Sequence, residues 1–232
     1  MFRTGTLEAA QSNRRHLTLS NGTGYWRSDL IGAHPGEAEA PQAFLVEQDP
    51  DTVILPHFHE RDQFQVVVEG GGTLGRHEVR PVSVHYAGRH TGYGPITANE
   101  RGLWYFSLRA LTDPGARFLP EARELMERTP KVNLLGDPVD PGETPVQTLI
   151  APRPDGVGAW LLHAAPGAGV QAPAHAGGGR YWIVVAGELF AGEERLPRLA
   201  AAFASAGETA FAPHAGPQGV DVLVLQFPGE EE

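Results

Sequence analysis

The sequence predicts an all-β chain built as two similar units joined by a short helical linker. Three observations carry this. Glycine (29) and proline (20) are abundant while charged residues make up only 20%, a turn-rich make-up more typical of sandwiches and barrels than of helix bundles. Short apolar runs, most of them bounded by Gly or Pro, recur along the chain. An ordered series of residues also repeats at an offset of 116 or 117.

The runs at residues 42–46, 64–68, 103–106, 158–162, 181–185 and 220–225 are strand-length and rich in β-branched or aromatic side chains. One segment has a helical period. Over residues 120–128 the apolar positions 119, 122, 125 and 126 share a face, Pro120 suits a first turn and Pro130 ends the pattern. Its place at mid-chain predicts a linker, dividing the chain into residues 1–112, 113–132 and 133–232. Phe64 aligns with Tyr181, Gly70 with Gly187 and Pro56 with Pro173 at an offset of 117; Phe44 aligns with Trp160 and His59 with His175 at 116. Such a series predicts an internal duplication.

Several classes are excluded. With no cysteine there is no disulfide framework, thiolate metal site or cysteine nucleophile. A formal charge of -10 with scattered basic residues argues against a phosphate-tracking surface, so no nucleic-acid partner is expected. The start of the chain lacks the apolar run of a signal peptide, and no stretch is long enough to span a bilayer. The expectation is a soluble, cytoplasmic protein.

Chemistry is concentrated in residues 55–65. Residues i and i+2 of a strand share a face, so His57 and His59 project together and can reach one ion. Gln63, after a bend, offers a further oxygen. The next run places Gln63, Gln65, Val67 and Glu69 on one side, which puts two glutamines toward the histidines. His16, His34, His77, His163 and His214 have no such company and are expected at the surface.

At these residues the chain resembles the cupin family of small jelly-roll β-barrels. The family's first motif runs Gly, five residues, His-x-His, three or four residues, Glu, six residues, Gly. His57, His59, Gln63 and Gly70 match that spacing, with Asp51 in place of the leading Gly and Gln63 in place of Glu. The second motif supplies one more histidine, and residues 81–95 match it poorly. They offer His90, in a Gly-bounded loop, and His85, within a strand where a wall-lining role suits it. In the second half Gly167, Pro173, His175, Arg180 and Gly187 keep the first motif's spacing, but Pro173 replaces the first histidine, Arg180 replaces the Glu, and Gln218 falls where the third histidine belongs. The resemblance thus implies two tandem cupin-type jelly-roll β-barrels, the first with a metal site and the second degenerate.

The ligand set it implies is His57, His59, Gln63 and His90 around one divalent transition metal, with Fe(II) favoured and Mn, Ni, Cu or Zn compatible. Gln65, His85 and Tyr93 would orient a small-molecule substrate. Neutral ligands leave the ion its full charge, which favours anionic oxygen ligands. The expected function is a metal-dependent cupin enzyme acting on a small anionic or enolisable organic substrate, dioxygenase-type first. The alternative is a non-catalytic metal- or small-molecule-binding bicupin module. The resemblance also implies a possible homodimer, since cupin barrels often associate through edge strands.

Overall fold

Each of the six apolar runs becomes a strand, and the strands outrun the apolar stretches that nucleate them. The computed structural model describes residues 1–19, 21–34, 37–142, 144–173, 177–208 and 211–229. The run at 64–68 lies within Gln63–Leu74, and that at 103–106 within Ile96–Arg109. Their counterparts are Gly179–Ala191 and His214–Gln226. Long antiparallel partners support residues whose own propensity would not hold them in a strand.

The chain divides into two units, Gln11–Pro138 and Val139–Glu232 together with Met1–Ala10. In the first, the strands run in the order Asn133–Leu135, Val84–Ala87, Gln63–Leu74, Ile96–Arg109, Gln42–Gln48, Gly24–Ile31, Arg15–Thr18. In the second the order is Phe2–Gly5, Ala201–Ser205, Gly179–Ala191, His214–Gln226, Gly158–Ala164, Val146–Ile150. All pairings are antiparallel.

The two units repeat one another in backbone detail. Gly70 and Gly187 have φ values of 71° and 69°, and Gly102 and Gly219 have 76° and 80°. A Cβ on Gly70 would lie 2.1 Å from the Gly102 carbonyl oxygen, and one on Gly187 would lie 2.2 Å from that of Gly219. Each pair marks an irregularity between the two longest strands of its unit, where only glycine allows the chains to approach.

Two expectations change. Residues 120–128 do not form an α-helix: the segment holds one 3-10 turn, Arg123–Leu125. Leu125 is 53% exposed and Leu119, Ala122 and Met126 are only partly buried, and a nine-residue helix with so little packing is not stable in water. The division of the chain also differs from a linker at 113–132. The first unit continues to Pro138, since Asn133–Leu135 pairs with Val84–Ala87. The first ten residues belong to the second unit, where Phe2 lies opposite Ala204 and Gly5 opposite Ala201. The N-terminal ammonium donates to Ser205 Oγ at 2.6 Å. Among the described residues the α-helical content is a single turn, Leu7–Ala10, and no helix is long and apolar enough to cross a membrane.

The inner faces differ in kind. The second unit packs Trp160, Leu162, Trp182, Val184, Val222 and Val224 into an apolar cluster. The first has Phe44, Val46, Ile54, Val67, Tyr93 and Tyr105 and buries polar groups beside them. His175 lies outside the described residues.

Candidate functional site

A narrow antiparallel ladder positions the first unit's polar groups. His57–Phe58 pairs with Arg117–Phe118 on one side. On the other, His57 and Tyr93 form a bridge, with N–H···O distances of 3.1 and 3.0 Å. Strand alternation then turns His57 and His59 one way and Phe58 the other. The two imidazoles stand edge-on with centroids 5.3 Å apart. Gln63 and Gln65 arrive from the Gln63–Leu74 strand, and Tyr105, Ser107 and Arg109 from Ile96–Arg109, each set by the same two-residue period. These side chains line a cavity of roughly 190 Å³, with Arg27, Phe44 and Asp113 completing its polar and aromatic walls.

The hydrogen bonds have a fixed direction. His57 Nδ1 faces the Leu55 carbonyl oxygen at 2.8 Å, which can only accept, so Nδ1 carries the proton. Its Nε2 therefore accepts from the Tyr93 hydroxyl at 2.8 Å. Tyr93 in turn accepts from Gln63 Nε2 at 2.6 Å. Gln63 Oε1 takes a bond from Ser107 Oγ at 2.8 Å and another from Arg109 Nη2. On the second histidine, Nδ1 donates to Asp113 Oδ1 at 2.8 Å, and Nε2 lies 3.1 Å from Arg109 Nη2, which donates to it. The Asp113 carboxylate also accepts the backbone N–H groups of Glu60, Arg61 and Gly115.

Burial sets the protonation states. Desolvation, with the neighbouring His59 adding to it, lowers His57 from 6.5 to about 3. Desolvation and the Arg109 charge lower His59. Burial works against an ionised Asp113, but the hydrogen bond from His59 and the charges nearby outweigh it and hold the carboxyl at about 2. Burial pushes the Tyr93 phenol well above its usual value. At neutral pH the site therefore holds two neutral imidazoles, a phenol, a carboxylate and a buried guanidinium, Arg109 being 3% exposed.

The fold brings together His57, His59, Gln63, Gln65 and Tyr93, all of which line the cavity. His85 sits one strand away. Its Nδ1 meets Gln65 Oε1 at 2.9 Å and its Nε2 meets Asn133 Oδ1 at 3.0 Å, while burial lowers it to about 4. It thus supports Gln65 rather than lining the cavity. His90 is not brought to the pair. Its backbone bonds His59, but its ring lies against Phe58, on the opposite strand face, and Nδ1 accepts from the Glu127 N–H at 3.3 Å. The bridge to His57 instead puts Tyr93 where a third imidazole was expected. Arg109, Ser107 and Asp113 escaped the sequence reading. The alternation Tyr105, Ser107, Arg109 carried the signal for two of them; Asp113, 54 residues from its histidine, left none.

These residues do not fit a divalent ion. The two imidazoles have the tautomers of metal ligands, with Nδ1–H held outward. Yet both Nε2 lone pairs already accept bonds, one from a phenol and one from a guanidinium. Gln63 Oε1 is likewise occupied, and no carboxylate faces the cavity unpaired. Among the described residues no three His, Asp or Glu side chains converge as a metal-holding group. A divalent ion about 4 Å from the Arg109 charge would be repelled by roughly 8 kcal/mol at an effective dielectric near 20.

The fold is shared with several solved structures. A protein of Nostoc punctiforme PCC 73102, provisionally assigned as a dioxygenase, is 13% identical, with 100% of this chain and 85% of that one covered at a TM-score of 0.66. The Escherichia coli pirin YhhW, solved with nickel(II), is 11% identical, with 99% and 100% covered and a TM-score of 0.61. Bacillus subtilis oxalate decarboxylase, with Mn(II) centres, is 11% identical, with 99% and 78% covered and a TM-score of 0.61. No protein-family model and no curated protein sequence matches the chain. At these identities the likeness is one of fold.

Proposed function

We propose that the first unit binds a small organic anion, a carboxylic acid or its enolate, against Arg109, and that the second unit is its degenerate cupin-type copy. The observation that carries this is a buried guanidinium, Arg109, on the wall of the cavity. Arg27 lines the same cavity, 3.6 Å above the Phe44 ring, and Arg109 lies 5.4 Å from that ring. The carboxylate at hand, Asp113, is already bonded by His59 and three backbone N–H groups. Arg27 is paired with Asp29 at 2.7 Å, and Arg109 Nε lies 3.9 Å from Asp113 Oδ1, so Arg109 is the buried cation that an incoming anion would meet.

A guanidinium pairs with a carboxylate through two parallel bonds, each stronger than its bonds to a neutral amide or imidazole. An incoming anion therefore competes well for the donors that Arg109 now gives to Gln63 and His59. The cavity has room for an acid of a few carbons, since a water occupies about 30 Å³ in the liquid. Tyr93 adds a hydrogen-bond donor. The phenol can turn its O–H from His57 Nε2 to a ligand oxygen, while Gln63 holds the tyrosine in line. Metal-dependent turnover, dioxygenase-type included, is the reading favoured by the His57 and His59 tautomers. It requires Arg109 and Tyr93 to release both lone pairs.

Calorimetric titration with a panel of short mono-, di- and hydroxycarboxylic acids, each beside its amide, tests the proposal. At least one acid should bind while its amide does not. Arg109→Gln should weaken that acid roughly ten- to a hundredfold, the worth of a hydrogen bond to a charged group. Equal binding by wild type and Arg109→Gln would sink the proposal.

A further inference from the structure

We infer that Arg109 occupies the seat of a metal ion, so that this pocket keeps a metal-ready histidine pair but excludes metal. The inference rests on the anion-site reading above and deepens it by naming what supplies the positive charge. Leu55 and Asp113 hold the two Nδ1–H groups outward, at 2.8 Å each, and so aim both Nε2 atoms inward, as the partners of metal-bound histidines do. What meets those atoms is protein. Tyr93 donates to one, and Arg109 donates to the other and to Gln63 Oε1. Each would-be ligand atom thus ends on an N–H or O–H of the chain itself.

The second unit supports this independently. Gln63 and Arg109 have counterparts 117 residues further on, Arg180 and Gln226, which lie directly opposite each other in the sheet. Both copies therefore place one arginine and one glutamine at this pair of positions, with the two residues exchanged. An arginine and a glutamine at facing strand positions are the shared feature; a set of metal ligands is not.

The test reads metal content and needs no knowledge of the substrate. Wild type, His57→Ala, Tyr93→His and Arg109→Met/Tyr93→His are incubated with Ni(II) or Mn(II), desalted and assayed by elemental analysis, with circular dichroism to confirm folding. Wild type should retain far less than one ion per chain, and His57→Ala should not change that amount. Tyr93→His alone should stay empty because Arg109 remains in place. The double variant should retain about one ion per chain, since it restores a third imidazole and removes the cation. Adding His57→Ala to it should abolish the gain. Overturning results are a wild type holding about one ion that His57→Ala removes, metal uptake by Tyr93→His, or a folded double variant that takes up none. If the double variant does not fold, the wild type and Tyr93→His measurements decide alone. Calorimetry of a carboxylic acid on wild type is a separate readout. Acid binding with metal retained would overturn the exclusion and keep the anion site, whereas metal-free protein that binds no acid would do the reverse.

Discussion

One strand-crossing row, compared between the two units, shows how the same backbone supports opposite interiors. In the first unit Phe44, Ser107, Gln65 and His85 lie side by side across four strands. In the second the same places hold Trp160, Val224, Trp182 and Ala202. Two indoles fill the second interior, while the first gives up that volume to a cavity and a chain of hydrogen bonds. Apolar burial of the kind in the second unit contributes on the order of 25 cal/mol per Å². A buried polar network contributes less net stability, but each member must keep its partners, which fixes one arrangement of side chains. The apolar copy is therefore suited to holding the fold, and the polar copy to recognition.

Acidification should separate the two units most strongly. His57 and His85 titrate at about 3 and about 4 in the folded chain, against 6.5 when unperturbed. Between those values and 6.5 the unfolded chain binds protons that the folded one refuses, so stability is complete above about pH 6.5 and falls as the pH drops. Each histidine contributes up to about 1.4 kcal/mol per pH unit, or roughly 5 kcal/mol for the pair by about pH 4.5. The described histidines of the second unit, His163 and His214, are only partly buried. Hydrogen exchange at falling pH should therefore show amides of the Gln63–Leu74 strand losing protection before those of Gly179–Ala191. Simultaneous loss at every pH would contradict this assignment.

Next in size is the cost of truncating matching positions. Trp182→Ala removes an indole from a close-packed cluster and should destabilise by about 3–5 kcal/mol. Gln65→Ala, its counterpart, removes one hydrogen bond to His85 beside an existing cavity and should cost about 1–2 kcal/mol. Urea unfolding of both variants gives the difference directly, and equal losses would mean that the first interior is packed as tightly as the second.

Tyr93→Phe should have the smallest effect on stability. It leaves His57 Nε2 and the Gln63 NH2 group without their common partner, a cost of about 1–2 kcal/mol reduced by any water that enters the cavity. If Tyr93 acts only as a strut, acid binding measured by calorimetry should survive unchanged. If it donates to the ligand, affinity should fall severalfold with little change in the melting temperature.

Much of the fold was legible because it is written in short-range pattern. Apolar runs flanked by glycine and proline gave all six principal strands. The repeat at 117 residues placed Gly70 opposite the same kind of backbone crossing as Gly187. The helical period at 120–128 misled because a short amphipathic segment whose apolar positions are at best partly buried does not hold a helix. Two-residue alternation put His57, His59, Gln63 and Gln65 toward one another, and all four line one cavity. His90 was misplaced because one loop residue decides which strand face its ring meets.

The sequence by itself determined that this chain is rich in β strands, that a series of residues repeats at about 117, and that one half carries the clustered imidazoles and amides. Those properties follow from composition and from periods of two residues, which depend only on local geometry. The tertiary structure alone decided what the imidazoles face. The Tyr93 hydroxyl reaches His57 across 36 residues and the Arg109 guanidinium reaches His59 across 50. It also decided that Phe2–Gly5 completes the sheet of the distant second unit. Contacts at such separations depend on strand register and on which lone pairs are left to fill, and neither is encoded in any local stretch of the chain.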